Sequence, residues 1–395
     1  MIPLATVRLG ELFRARKEPG IEGLPILSVT MTEGLVHRDV LERRTNGNLA
    51  PEEHLLIRRG DLAYNMMRMW QGASGLADKD GMVSPAYVVL APREGIDPLF
   101  ASYWFKSARM IHLFWAHSYG LTSDRLRLYY KDFARIPVRV PSKPEQERIG
   151  HLLARTDRAI ELMQKLITAK RKFKGGLAQQ LLTGQRRLPG FTEPWTMQSL
   201  DTISRIGKGA GGSKSDLAPA GLPVVRYGEL YTTYRIRIDQ VRSFISPDAA
   251  RRSRPIDRGD VLLAGSGEDR DEIGVAAAYT ANCPAFAGGD VIIVSSHKLH
   301  SVFLAYLLGS MAVRREFYRR AQGESVVHLY MRDVGSLQLQ LPSIEEQKCI
   351  AAVLGEADRE IALLSQKVMA LHRLKTGFMQ SLLTDGVRRK GQGST

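Results

Sequence analysis

The feature that most constrains this chain is one long pattern written twice. The segment from Pro141 (PSKPEQERIGHLLARTDRAIELMQKLITAKRKFKGGLAQQLLTG) aligns without a gap on the segment from Pro342 (PSIEEQKCIAAVLGEADREIALLSQKVMALHRLKTGFMQSLLTD), 201 residues further on. Pro141, Ser142, Glu145, Gln146, Ile149, Leu153, Asp157, Arg158, Ile160 and Leu162 recur as Pro342, Ser343, Glu346, Gln347, Ile350, Leu354, Asp358, Arg359, Ile361 and Leu363. Chance does not hold one register over such a length. The chain is an internal duplication, and its fold must contain two related halves.

Each copy reads as a long amphipathic helix. Ser142 with Glu145, and Ser343 with Glu346, have the spacing of a capping box, in which the Ser oxygen accepts an orphan N–H and the Glu reaches back. Apolar residues then advance by three or four: Ile149, Leu152/Leu153, Ile160, Met163, Leu166/Ile167, Phe173, Leu177 and Leu181 in the first copy, interrupted by Thr156 and Lys170. The second runs Ile350, Val353/Leu354, Ala357, Ile361, Leu364, Val368, Leu371, Leu374, Phe378 and Leu382. Forty residues at ~1.5 Å each make a rod of roughly 60 Å. Gly184 and Gly386 are plausible stops, and Gly175-Gly176 and Gly377 plausible bends. A rod of this kind has its twin as the obvious partner. We expect an antiparallel coiled coil, with Ile149, Leu153, Ile160, Ile350, Leu354 and Ile361 in the seam, and an internal two-fold axis. The alternative is that each helix packs only on its neighbouring domain.

The sequence between the rods repeats more faintly. Leu128-Tyr129-x-Lys131-Asp132 returns as Leu329-Tyr330-x-Arg332-Asp333, Ile57-Arg58-Arg59-Gly60-Asp61 as Ile256-Asp257-Arg258-Gly259-Asp260, and Phe100-x-x-Tyr103 as Phe303-x-x-Tyr306. Short β-rich runs (Ala86–Leu90, Asp290–Val294) precede helix-like stretches (Leu99–Phe114, Val302–Tyr318). The expected fold is α+β: two tandem α+β domains, residues 1–140 and 189–341, separated by two long helices, 141–188 and 342–395 (the latter with a tail), packed antiparallel with pseudo-two-fold symmetry. Pro189-Gly190 is the linker cue.

Composition narrows the function. Lys and Arg number 56 against 41 acidic residues, a net charge of +15, which argues for a polyanionic partner. No apolar run approaches the ~20 residues of a membrane helix, and Met1-Ile2-Pro3-Leu4 lacks the basic head of a secretory signal, so a cytoplasmic protein without membrane contact is expected. Cys283 and Cys349 are too few for a disulfide framework or a Cys-based zinc site.

Catalytic motifs do not hold up. The run Gly207–Ser215 fails as a P-loop, because Ser213 and Lys208 stand where glycines are needed; it reads as a mobile cationic loop able to approach a phosphate backbone. His297-x-x-His300 has no companion ligands nearby, and Asp61 and Asp260 suit turns better than acid catalysis. No metal site is expected. Loops mixing Arg with amide and aromatic residues remain as candidates for reading base edges and phosphates. In the first globule these are Asn65, Arg68, Trp70 and Gln71, then Tyr119, Ser123 and Arg125. In the second they are Lys208, Lys214, Arg226, Tyr227, Arg251, Arg252, Ser266, Arg270, Gln322 and Ser325.

Two copies of Pro-Ser-x-x-Glu-Gln, each opening a long helix that ends in Leu-Leu-Thr and each preceded by an α+β domain, resemble the DNA-specificity subunit of type I restriction–modification systems. The resemblance spans essentially the whole chain. It implies a non-catalytic subunit whose two globules are target-recognition domains reading the halves of an asymmetric, two-part site on double-stranded DNA. The rods would set the spacer and dock two methyltransferase subunits. By the same resemblance, S-adenosylmethionine, ATP and Mg2+ belong to partner subunits, and this chain binds no cofactor. Whether restriction subunits join is left open. A coiled-coil scaffold without sequence-specific DNA binding is the alternative.

Overall fold

The computed structural model describes residues 4–40, 49–122 and 124–383, and the chain divides into two compact units. One comprises residues 1–165 with 365–395, the other residues 166–364. Each unit therefore holds one globule, the first half of the rod that follows it and the last half of the other rod. The rods are single helices, Lys143–Leu182 and Ile344–Leu383, uninterrupted at Gly175-Gly176 or Gly377. Residues 183–188, expected in the first rod, lie beyond its helix, where Gly184 takes a left-handed φ of 70°. Gly386 and the tail lie outside the described residues.

Within each unit the rod segments run antiparallel. In the first unit Ile149 and Leu153, near the start of one rod, share a core with Phe378, Leu382 and Leu383, at the end of the other. In the second, Ile350 and Leu354 pack with Leu177, Leu181 and Leu182. Cross-rod ion pairs run the same way: Lys170 and Lys174 meet Glu360 and Asp358, so one chain ascends as the other descends. The seam is narrower than the apolar stripe. Ile149, Leu153, Ile160 and Ile167, with Ile350, Leu354, Ile361 and Val368, are buried. Leu152, Leu166, Phe173, Val353 and Leu374 face outward, because a helix of 3.6 residues per turn cannot turn every third- and fourth-residue position to one partner.

The helix starts depart from the expected capping box. Ser343 Oγ accepts from Glu346 N at 3.4 Å, but the Glu346 carboxylate turns away to take Arg187 at 2.7 and 2.8 Å and Trp195 Nε1 at 3.2 Å. Glu145 instead pairs with exposed Arg148 at 2.7 Å. The next residue does the anchoring. Buried Gln146 donates to the carbonyls of Pro141 and Gly95 and accepts from Asp97 N at 2.9 Å. Buried Gln347 donates to Pro342 O and accepts from His300 N at 2.9 Å. Asp97 and His300 in turn cap the helices Pro98–Trp104 and Ser301–Leu308.

The first unit contains two four-stranded sheets. In one, Tyr87–Pro92 lies between Phe13–Arg16 and Leu62–Asn65, with Ser74–Leu76 at the edge; in the other, Ile26–Val29 and Gly81–Val83 form a parallel pair. The second unit has two five-stranded sheets of corresponding order, built around Val261–Ala264 flanked by Ala276–Tyr279 and Val291–Ser295, and around Leu222–Val225 beside Ala285–Ala287. In both, the strand leading into the rod pairs with the first strand of its unit: Leu4–Arg8 with Pro137–Pro141, and Thr196–Ser199 with Gln338–Leu341. Asp61 and Asp260 tie turns, accepting from the amides of Arg58 and Asp257 at 2.9 Å. Each expected long helix is broken in two, into Pro98–Trp104 with Ala108–Ala116 and Ser301–Leu308 with Met311–Arg320. The cause is a Ser that restarts the helix: Ser107 and Ser310 accept from the amides of Met110 and Val313.

Candidate nucleic-acid interface

In each unit the fold brings two of the candidate loops together. In the first, the segment after strand Leu62–Asn65 is tied to the one after helix Ala108–Ala116 by Leu128 N donating to Met66 O at 2.9 Å. Asn65 Oδ1 accepts from Met67 N, Arg68 donates to Gln71 at 3.2 Å, and Trp70 Nε1 donates to Met67 O, so these four residues first hold their own loop. Met69 is the buried anchor, and Gly72 closes the turn at a φ of 87°. The second loop is a small hairpin: Tyr119 and Arg127 exchange both backbone hydrogen bonds. Gly120 sits where a Cβ would lie 2.4 Å from Arg125 O, so only glycine fits. Leu121 is fully exposed at the tip, flanked by exposed Tyr119, Asp124 and Arg125. Ser123 lies outside the described residues.

The second unit repeats the arrangement. Leu329 N donates to Gly265 O at 2.9 Å, the counterpart of the Leu128 bond. Gln322 and His328 exchange backbone hydrogen bonds as Tyr119 and Arg127 do, and Gly323, at a φ of 109°, replaces Gly120. Gln322, Glu324, Ser325 and Val326 are exposed on the hairpin. Arg270 donates to Tyr318 O at 3.0 Å while its guanidinium lies 5.4 Å from the Tyr318 ring. Ser266 is buried, and its hydroxyl pairs with His328 Nδ1 at 2.8 Å; it braces the two loops and cannot reach a base. Tyr227 opens the helix Tyr227–Thr232, which packs on Ser266–Gly267 and brings Tyr231 to Glu272; burial first, and Glu272 next, push the Tyr231 hydroxyl above its ordinary pKa.

The remaining candidates form a separate group on the second unit. Lys208 pairs with Asp290 at 2.9 Å, Arg252 with Asp216 and Arg251 with Asp248, both at 3.1 Å. Lys214 is exposed at the start of a 3-10 turn capped by Asp216, and the Arg226 amide donates to Glu229. The Gly-rich run is not the mobile loop expected. Gly209 N donates to Val291 O, and Gly211 O accepts from Gly289 N, both at 2.7 Å. A Cβ on Gly209 would lie 2.0 Å from Gly288 O, so these glycines serve a close backbone crossing. Exposed Tyr330 and Arg332, the latter with its guanidinium 5.4 Å from the Tyr330 ring, and exposed Tyr318 were not among the sequence candidates; the signal for the first two was the repeated Leu-Tyr-x-Lys/Arg-Asp, which marks the hairpin's exit in both units, and no sequence signal marked Tyr318.

A family model described as the type I restriction modification DNA specificity domain matches residues 5–169. Over 349 residues the chain is 22% identical to the type I restriction enzyme MjaVIII specificity subunit of Methanocaldococcus jannaschii, covering 82% of this chain and 80% of that protein. By both comparisons the chain is similar to type I restriction–modification specificity subunits. Solved structures share this fold: the HsdS subunit from Thermoanaerobacter tengcongensis superposes with a TM-score of 0.54 at 20% identity, covering 97% of both chains. The S subunit from M. genitalium gives 0.57 at 16%, covering 96% of both. Among the described residues, no helix is long and apolar enough to cross a membrane.

Proposed function

We propose that this chain is the non-catalytic DNA reader of a type I restriction–modification complex, each unit reading one half of an asymmetric, two-part target on double-stranded DNA. The observation that carries this reading is the matched loop pair, one in each unit, closed by equivalent hydrogen bonds but filled with different residues. Equal scaffolds with unlike side chains suit two unlike half-sites. The net charge of +15 suits the phosphate backbone. Arg125, Arg68 and Gln71 in one unit, and Arg270, Gln322 and Ser325 in the other, are the side chains best placed for base edges, with Tyr119, Tyr318 and Tyr330 as apolar contacts. Lys208, Lys214, Arg251 and Arg252 suit the backbone, with Lys208, Arg251 and Arg252 exchanging their present carboxylate partners for phosphates.

The rods would carry two methyltransferase subunits. Leu152 and Val353, Leu162 and Leu363, and Phe173 and Leu374 are exposed apolar pairs at equivalent rod positions, as two identical partners would require. S-adenosylmethionine would belong to those subunits, and ATP and Mg2+ to restriction subunits where these join. The complex would work in the cytoplasm. Mapping methylated adenines in DNA from cells that express the chain with its modification subunits tests the reading. A two-part consensus with unlike halves is expected, and binding should weaken steeply with salt. Methylation without any such consensus, or none that depends on this chain, overturns it.

A further inference from the structure

One three-residue arrangement occurs in both units. In the first, the Tyr103 hydroxyl donates to one oxygen of Asp157 at 2.8 Å, Lys375 Nζ takes the other at 2.6 Å, and the same Nζ lies 5.5 Å from the Tyr103 ring centre. In the second, Tyr306 donates to Asp358 at 2.6 Å, Lys174 takes the other oxygen at 2.6 Å, and its Nζ lies 5.2 Å from the Tyr306 ring. Asp157 and Asp358, and Lys174 and Lys375, hold equivalent places in the duplicated rods; the tyrosines come from the repeated Phe-x-x-Tyr. Each set joins three bodies: a globule helix through Tyr, the rod that follows that globule through Asp, and the opposite rod through Lys.

Directional contacts do here what apolar packing cannot. Hydrophobic burial is non-directional and lets helices slide, whereas a carboxylate engaged at both oxygens, under a ring held by the same ammonium, fixes a register. The register extends to the loops. The Tyr103 helix is followed at once by Ala108–Ala116, whose Ile111 side chain sits beneath Gly72 of the first loop. The Tyr306 helix is followed by Met311–Arg320, whose Arg314 donates to the carbonyls of Asp271 and Ile273 and whose Tyr318 carbonyl holds Arg270.

We propose that Tyr103, Asp157 and Lys375, and separately Tyr306, Asp358 and Lys174, are positioning residues that orient each loop pair on the rods and so sharpen the reading of one half-site each. This rests on the loops being the DNA interface. The test uses the full chain with its modification subunits and maps methylated adenines for Asp157→Asn, Lys375→Met, Asp358→Asn and Lys174→Met. The first two should relax the consensus in one half only and the last two in the other, raising methylation at single-mismatch sites by about tenfold, the equivalent of one lost discriminating contact. Lys375→Arg should restore the wild-type pattern. Tyr103→Phe and Tyr306→Phe, which remove one hydroxyl each, give the same half-specific answer if a charge variant fails to fold. Variants that lower methylation at all sites while leaving the consensus intact overturn the proposal and leave the DNA-reading function standing. A wild-type chain with no two-part consensus overturns both.

Discussion

In the first unit the amide of Gln146 bridges Pro141, Gly95 and Asp97; in the second Gln347 bridges Pro342 and His300. The same pairing holds for Tyr103 with Asp157 and Tyr306 with Asp358. The cores behind these contacts differ. Tyr64, Phe13, Phe105, Phe114 and Phe133 form one ring cluster in the first unit, with Phe133 5.5–6.1 Å from the other four. The second keeps Phe317 where the first has Phe114, but places Leu263, Leu308 and Val334 where the first has Tyr64, Phe105 and Phe133. Equivalence is retained where a globule meets the rods and is partly lost in the interior and at the loop tips. A core needs only volume and apolarity, so many residue sets satisfy it, whereas a hydrogen-bonded joint accepts few.

The largest expected effect tests the core half of that contrast. Phe133 and Val334 hold equivalent, fully buried places. Phe133→Ala should cost about 4 kcal/mol, because it leaves a cavity among four rings that cannot collapse onto it. Val334→Ala should cost about half as much, by the smaller area removed. Chemical denaturation, with hydrogen exchange to assign the loss to one unit, measures both. Equal costs would mean the aromatic cluster gives the first unit no packing advantage.

The joints should behave oppositely. Gln146→Ala and Gln347→Ala each strand buried backbone groups, at about 2 kcal/mol apiece. Similar losses are expected, since both side chains are buried and both hold a helix cap to a rod start. A difference beyond about 1 kcal/mol in the same measurement, well outside the usual scatter of single contacts, would show that the two joints have diverged as the cores have.

This division also decides what could be read in advance. The rods, their antiparallel pairing, the α+β globules and the turn-forming Asp61 and Asp260 all follow from period, spacing or repetition. The role of Gln146 does not, because nothing in Pro-Ser-x-x-Glu-Gln distinguishes the residue that caps from the one that reaches into the neighbouring globule. Glu346 shows the same limit: Arg187 and Trp195, which capture it, lie more than 150 residues earlier in the chain. At the loops, composition picked out Arg125 and Gln322, which are exposed, and Arg270, which is half-buried and held by Tyr318 O, but it could not tell that Ser266 would be buried against His328 or that Gly209 and Gly211 serve a backbone crossing. Those outcomes depend on which segments the fold brings together.

The smallest expected effect lies at the helix caps, where the joints are equivalent but the capping residues are not. Asp97 Oδ1 accepts from Phe100 N at 2.6 Å, whereas His300 Nδ1 accepts from Phe303 N at only 3.4 Å. Burial, then Lys348 and Arg237, lower the His300 pKa, so the neutral cap is the folded form and the unfolded chain binds the extra proton. The cap's contribution is therefore complete above about pH 6.5, the ordinary histidine value, and declines as the pH falls below it. Protonation also removes the lone pair that receives the Phe303 N–H. His300→Asp should raise stability by about 1 kcal/mol at neutral pH, and it should move the acid-induced loss in the second unit towards the carboxylate range near pH 4. Hydrogen exchange of Ser301–Leu308 at pH 5.5 and 7.5, set beside Pro98–Trp104 as the internal control, reads the change directly. Unaltered pH dependence in the variant would mean that His300 acts as a spacer and that the Gln347 bridge alone holds this helix start.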